Sequence, residues 1–407
     1  MPDHSQDAPR SLPERPNLRH LKEQARDLLK TGAATSVSDA QFQIAGLYGF
    51  ASWPKLKAHV DSLQEFGRLK RAIDGNDLDR VKALMTGNPA LHRAPLGYGK
   101  NGPLTWVAEC RIPWEPPAPA RLAMAQWMIE NGSDVHQGGD GPLMRAALRG
   151  ERIPMMELLV ANGANVNAEW NGDFPILFAP CESVSPASLQ WLLEHGADPN
   201  CSRPGRESTA LDYLIGTYAR SPELGMCIDL LLNAGGVTRY DLPGVLDVLR
   251  ERTDPLSELL DADPDLVNRR YPGLDCGSTG GRRLLLQGAT LLHVAAEFGC
   301  IEAARLLLAR GAPVNAPASL DAAGTGGQTP IFHAVTQFPG QGSTMVRLLL
   351  DAGADLSVRV KLPGHYDRPG EVVECTPLGY ALRFPGAEFP DSNAEVVRLL
   401  REKGGIE

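Results

Sequence analysis

The stretch Gly288–Ala316, GATLLHVAAEFGCIEAARLLLARGAPVNA, decides the fold. Thr290 stands where a helix N-cap belongs, with a hydroxyl suited to an orphan amide of the first turn. Leu291–Phe298 predicts a short helix that Gly299 stops. Ile301–Arg310 predicts a second helix, whose run Leu306, Leu307, Leu308 is too apolar for one buried side alone. Gly311 follows where helices commonly end in a left-handed residue, and Val314-Asn315-Ala316 leads into a turn. Such a pair of helices cannot bury its own apolar surface and needs copies on either side.

The copies are present. LKRAIDGNDLDRVKALMTGNPAL, from Leu69, is a degenerate first unit. GPLTWVAEC with LAMAQWMIENGSDVH, GPLMRAALRGERIPMMELLVANGANVNA, DFPILFAPC with SLQWLLEHGADPN, and STALDYLIG with MCIDLLLNAGG follow. LPGVLDVLRERTDPLSELLDADPDLVN echoes the degenerate first unit. After the opening stretch come QTPIFHAVT with STMVRLLLDAGADLSV, then CTPLGYALR with AEVVRLLREKGGIE. The T-P-L-H-x-A starts and G-A-x-V-N endings resemble ankyrin repeats of bacterial type. The resemblance implies an all-α solenoid of stacked helix pairs, about nine repeats over residues 67–407, several of them degenerate.

The chain has 407 residues, too many for one compact core. Its net charge of −9 offers no global basic field for nucleic acid or an anionic membrane. No apolar run approaches the ~20 residues of a membrane span, and the first residues lack the apolar core of a signal peptide. The seven cysteines are scattered, with no C-x-x-C and no Cys/His grouping at zinc spacing. These features predict a cytoplasmic protein with reduced thiols, no metal and no cofactor.

Residues 1–16 are rich in Pro and charge and read as a disordered leader. Residues 17–66 predict a small helical module: Asn17 caps a helix through Lys30, Ser38 opens a second, and Ser52 caps a third with Pro54 in its first turn. The phrases LPERPNLRHLKEQARDLLK and LYGFASWPKLKAHV resemble a module that precedes ankyrin arrays in some bacterial proteins. Arg15, Arg19, Lys22, Arg26 and Lys30 alternate with Glu14, Glu23 and Asp27. That is a solvated helix face rather than a DNA-reading one. Shielding the first repeat is the role an array needs at its end.

Two sets of insertions depart from a regular array. Long loops fall at Arg93–Gly102, Arg269–Gln287, Pro317–Gly327 and Arg359–Glu374, three with a tyrosine (Tyr98, Tyr271, Tyr366). Others interrupt helix pairs at Ile112–Ala120, Thr217–Gly225, Phe338–Gly342 and Phe384–Ser392. Long loops in a compact array are usually functional or disordered.

The resemblance also implies a concave face lined by the first helices. Aligned on the repeat, the contact positions are Glu109, Cys110, Arg149, Asp173, Cys181, Glu182, Ser208, Thr217, Glu297, Phe298, Gln328, Gln337, Cys375, Arg383 and Phe384, with the aromatics Trp106, Phe178, Tyr213 and Tyr380 one turn or less away. This mix of acids and aromatics suits a protein or small polar ligand. His293 and His333 read as the motif histidines that bond neighbouring backbone. No nucleophile stands in a recognisable setting, and GSTGGRR at 277–283 lacks the G-K-[ST] of a phosphate loop. The expected function is therefore recognition through the concave face and the insertions. The alternative is a cofactor-independent acid/base enzyme with its pocket beneath the long loops. Its residues would come from Glu109, Glu182, Glu297, His293 and Tyr213, provided two carboxyls converge.

Overall fold

A computed structural model describes residues 10–13, 16–96, 99, 101–109, 117–279, 282–336, 342–365, 368, 370–384 and 393–407. The chain divides into two units, 1–137 and 138–407.

In the first unit, α1 (Leu18–Lys30), α2 (Val37–Leu47) and α3 (Trp53–Asp74) pack around Leu21, Ala25, Ile44, Ala45, Leu56 and Val60. The Asn17 side chain accepts from Arg19 N–H at 2.8 Å, and Ser52 caps α3. The second helix starts earlier than the sequence suggested. Ser36, not Ser38, is its cap, because the Ser36 hydroxyl accepts the Asp39 amide at 3.1 Å. Helix α3 runs without a break across the expected module boundary at 66/67 and packs on α4 (Leu78–Gly87) and α5 (Pro103–Glu109). Helix α6 (Pro119–Glu130) packs on α4 and α5.

The second unit is two rows of short helices. Helix α7 (Gln137–Ala147) becomes regular only after 138–140, which have positive φ, and α8 (Ile153–Ala161) follows. The first-helix row continues with α9 (Phe178–Ser183), α11 (Ala210–Gly216), α13 (Val245–Leu249), α15 (Leu291–Phe298), α17 (Pro330–Ala334) and α19 (Pro377–Arg383). The second row is α10 (Pro186–Glu194), α12 (Leu224–Asn233), α14 (Thr253–Ala262), α16 (Ile301–Ala309), α18 (Gly342–Asp351) and α20 (Ala394–Glu402). Neighbours within a row pack together, as in α15 on α17 and α16 on α18, so each pair buries what it cannot bury alone.

The recurrent Gly-Ala and Asn of the sequence now have physical reasons. Gly311, which follows α16, has φ 85°, the left-handed turn that only glycine adopts cheaply. The asparagine four residues further on clamps the next repeat. Asn315 Nδ2 donates to Gly353 O at 3.0 Å, and its Oδ1 accepts from Asp355 N–H at 2.8 Å. Asn167 does the same to Gly196 and Asp198, and Asn200 to Gly235 and Val237.

The insertions carry structure of their own. Among the described residues, the 269–287 insertion pairs β3 (Ser278–Thr279) with β4 (Arg282–Arg283), the 359–374 insertion opens with β5 (Val360–Pro363), which pairs with β6 (Val372–Cys375), and β1 (Glu169–Trp170) pairs with β2 (Phe174–Pro175) between repeats, all antiparallel. Single bridges knit the later loops together: Arg282 to His365, and Gly326 to both Leu320 and Lys361. Among the described residues, no helix is long and apolar enough to cross a membrane.

Candidate functional site

The first-helix row presents two groupings of polar and aromatic side chains, both in the second unit. The first is open. Hairpin β1–β2 sets Trp170 edge-on to Phe174 (6.1 Å), and Phe174 meets Phe178 (5.7 Å) and Tyr213 (5.8 Å) edge-on. Phe178 and Tyr213 stack at 4.4 Å. Such aromatic pairs fix one another's position as well as burying area. Glu182, at the end of α9, accepts from the Tyr213 hydroxyl (3.0 Å) and the Tyr218 hydroxyl (2.8 Å). Asp173 pairs with Arg203, whose guanidinium also lies over Phe174. Arg203 holds the Asp173 carboxyl below the usual range. Burial, with Glu182 beside it, pushes the Tyr213 hydroxyl well above its ordinary value, so it stays protonated as a donor. Tyr218 is 54% exposed.

The second grouping is sealed. Glu297, at the penultimate position of α15, is 0% exposed. Its carboxylate accepts from Arg220 Nη2 (2.7 Å), from Arg282 Nη2 (2.9 and 3.1 Å) and from His333 Nδ1 (2.7 Å). Arg220 comes from the insertion in the α11–α12 pair and Arg282 from hairpin β3–β4. Both guanidiniums are 1% exposed. Arg220 also donates to Thr217 O (2.6 Å) and lies 4.4 Å over the Phe298 ring. Burial opposes the charge on Glu297, but Arg282, Arg220 and His333 outweigh it and hold the carboxyl well below its ordinary range. Burial also lowers His333. With two guanidiniums already on the carboxylate, His333 serves as a neutral Nδ1–H donor. Its Nε2 is buried with no partner among the described residues.

His293 performs the motif role. Thr290 N–H donates to its Nδ1 at 3.1 Å, and its Nε2–H donates to Gln328 O at 3.1 Å, one repeat on. The Thr290 hydroxyl lies 2.9 Å from the same Nδ1. Burial pushes His293 down to about 3. His333 does not share this role, which corrects the sequence reading. Counting from the cap Thr329, the motif position is Phe332, and His333 is one residue later. One residue is about 100° of helix, enough to turn its ring away from the cap and onto Glu297. The Thr329 hydroxyl is left buried and unpartnered among the described residues.

The expected contact residues therefore separate. Asp173, Phe178, Glu182 and Tyr213 come together, although Phe178 is itself fully buried. Glu297, Phe298 (8% exposed) and Tyr380 (0%) lie beneath covering structure, so the expectation that they meet a partner directly is corrected. Arg383 is exposed and pairs with Glu371 at 2.5 Å, and Arg149 is exposed before α8. Trp106, with Lys70 5.5 Å over its ring, and the buried Glu109 belong to the first unit. Gln337, Tyr98 and Tyr366 lie outside the described residues. Sequence reasoning missed Arg203, Tyr218 and Arg220 entirely, because all three sit in non-repeating segments. Arg282 stands in the glycine-rich GSTGGRR stretch, where no motif assigns it a partner.

The acid/base alternative finds no matching geometry among the described residues. Glu297 is ionised and engaged by three side chains, and His293 is spent on two backbone groups. Glu182 meets two tyrosines, not a second carboxyl. Burial pushes the thiols of Cys201, Cys227 and Cys276 up to about 12, far from a nucleophile's range. Among the described residues, no three or more His, Cys, Asp or Glu are grouped to hold a metal ion.

A family model of ankyrin repeats matches residues 120–203 and 254–360 in three copies. No curated protein matches the chain. Among solved structures, the ankyrin repeat domain of human ASB11 is 24% identical, over 65% of this chain and 99% of that one, with a TM-score of 0.31. The family match falls on the stacked helix pairs whose Gly turns and Asn clamps are described above, and the chain carries ankyrin repeats over residues 120–203 and 254–360.

Proposed function

We propose that this chain is a protein-binding module, and that its contact surface is the open patch of β1–β2, α9, α11 and the start of the 217–225 insertion. Ankyrin repeats generally serve protein–protein interaction. The observation that carries the assignment is Glu182 with its two tyrosines. Tyr218 stands 54% exposed, yet its hydroxyl is already oriented by the carboxylate at 2.8 Å. A rigid aromatic side chain held ready in this way loses little entropy on contact, and Tyr and Trp dominate binding energy at interfaces. The sealed grouping at Glu297 supports the patch indirectly. Arg220 fixes the insertion that carries Tyr218, two residues away.

A photo-crosslinking residue placed at Tyr218 tests this, with Met226 on α12 (59% exposed) as the control site. A partner that uses the patch crosslinks at 218 and not at 226, and loses the crosslink when Glu182→Ala and Asp173→Ala are combined. Equal labelling at both sites, or labelling indifferent to the double substitution, would remove the patch as the binding surface.

A further inference from the structure

Residues of the insertions at 269–287, 317–327 and 359–374 line a cavity of about 240 Å³ that opens to solvent, and its lining shares no residue with the patch proposed above. Leu284 and Leu362, each 1% exposed, line it from within, and Leu285 and Leu320 line it at 38% and 64% exposure. The walls are tied together. Gly326 N–H donates to Lys361 O at 2.7 Å, and Ala318 N–H to Gln328 O at 2.8 Å. A Cβ on Gly326 would strike the Ser319 carbonyl, so the loops approach as closely as a backbone without side chain permits.

Two acceptor groups stand in this lining, one without a hydrogen-bond donor and one without a cation among the described residues. Gln328 is 4% exposed. Its backbone carbonyl is held by His293 and Ala318, and its side-chain Nε2 donates to Leu285 O at 2.9 Å. Its Oε1 is buried with no hydrogen-bond partner among the described residues. Leaving such an acceptor unpaired costs about 1–3 kcal/mol, and a buried group in that state calls for an explanation. Asp321 is the second. Its Oδ1 accepts the amides of Ala323 (2.9 Å) and Thr325 (2.8 Å) in a tight turn. Among the described residues no cation pairs with its carboxylate, and it is the one charged residue of the lining. The cavity therefore combines leucine walls with acceptors and offers no cation of its own.

We propose that this cavity binds a compact organic cation, a guanidinium or ammonium on a short alkyl chain. Its N–H donors divide between Gln328 Oε1 and the Asp321 carboxylate, and its alkyl chain lies against the leucines. The chemistry is the same whether the cation is a free small molecule or an arginine or lysine side chain of a peptide.

The test is titration calorimetry on the full chain with n-butylguanidinium, n-butylammonium, butyramide and butyrate. The cations bind at least tenfold tighter than butyramide, and butyrate does not bind. Asp321→Asn keeps the Oδ1 turn and the exposed position but removes the charge, and it weakens n-butylguanidinium at least fivefold. Gln328→Leu removes the buried acceptor and weakens it further. Equal binding of butyramide and n-butylguanidinium, or unchanged affinity in Asp321→Asn, overturns the assignment. A blocked Leu-Arg-Leu peptide identifies the source. Tighter binding than n-butylguanidinium indicates a peptide side chain, and weaker binding a free cation; either order supports the cation site.

Discussion

Glu182 and Glu297 both lie near the ends of first helices, one place apart in the repeat register, and their fates are opposite. Glu182 receives two tyrosine hydroxyls and remains at the surface. Glu297 receives two guanidiniums and an imidazole and is sealed at 0% exposure. The repeat supplies the same stage to both; the insertions decide the outcome. At 182 the neighbouring insertion contributes a phenol, which orders the carboxylate while leaving it wet. At 297 two insertions contribute arginines, which neutralise the carboxylate and exclude water. An acid on this row is a contact residue where the loops stand aside and a structural pin where they close over it.

The comparison breaks most visibly at Glu297. Glu297→Ala leaves two guanidiniums buried without their carboxylate, and about 3–5 kcal/mol of stability is lost in urea denaturation. If the cluster is a pin, combining Arg220→Met, Glu297→Leu and Arg282→Met recovers most of that loss, since a well-packed apolar replacement of buried ions is often neutral or better.

Acid separates the two regions next. His293 and His333 are neutral in the fold but take up protons when unfolded below their ordinary value of 6.5. Their stabilisation is complete above 6.5 and falls as pH drops, by about 1.4 kcal/mol per unit for each histidine until its folded value is reached. Glu297, held below its ordinary 4.5, adds a further loss below that pH, as the unfolded carboxylate protonates. Denaturation midpoints measured from pH 7.5 to 4 follow this two-stage decline, and His293→Gln flattens the first stage.

Smaller effects sharpen the contrast. Asn200→Ala removes the clamp on Gly235 and Val237 and costs about 1 kcal/mol, the ordinary value of such hydrogen bonds. Glu182→Gln costs less than about 1 kcal/mol, since its partners reach water, while the photo-crosslink from position 218 weakens. A loss at Glu182 as large as at Glu297 would mean that both carboxylates are structural pins.

The repeating part of the molecule was legible because its signals are local. Thr290, His293, Gly311 and Asn315 act within one repeat or on the next, and their spacing repeats. The same register brought Asp173, Phe178, Glu182 and Tyr213 onto one face. What escaped is what the loops bring. Arg220 lies 77 residues from Glu297 in sequence, and no periodicity links them. His333 was misplaced by one residue because an aromatic, Phe332, occupies the motif position beside a histidine that resembles the motif's own. The hairpins β3–β4 and β5–β6 are too short to produce an alternating pattern amid glycine and proline.

The ion cluster also changes how the array comes apart. In a simple array each repeat touches only its neighbours, so coupling passes along the stack one interface at a time. Here Arg220 follows α11 and Glu297 ends α15, with the α13–α14 pair between them, while His333 adds α17. One carboxylate thus staples together repeats that are not adjacent. A truncation that ends between 217 and 333 is therefore expected to cost more than the repeat it removes, because it also breaks the ion cluster.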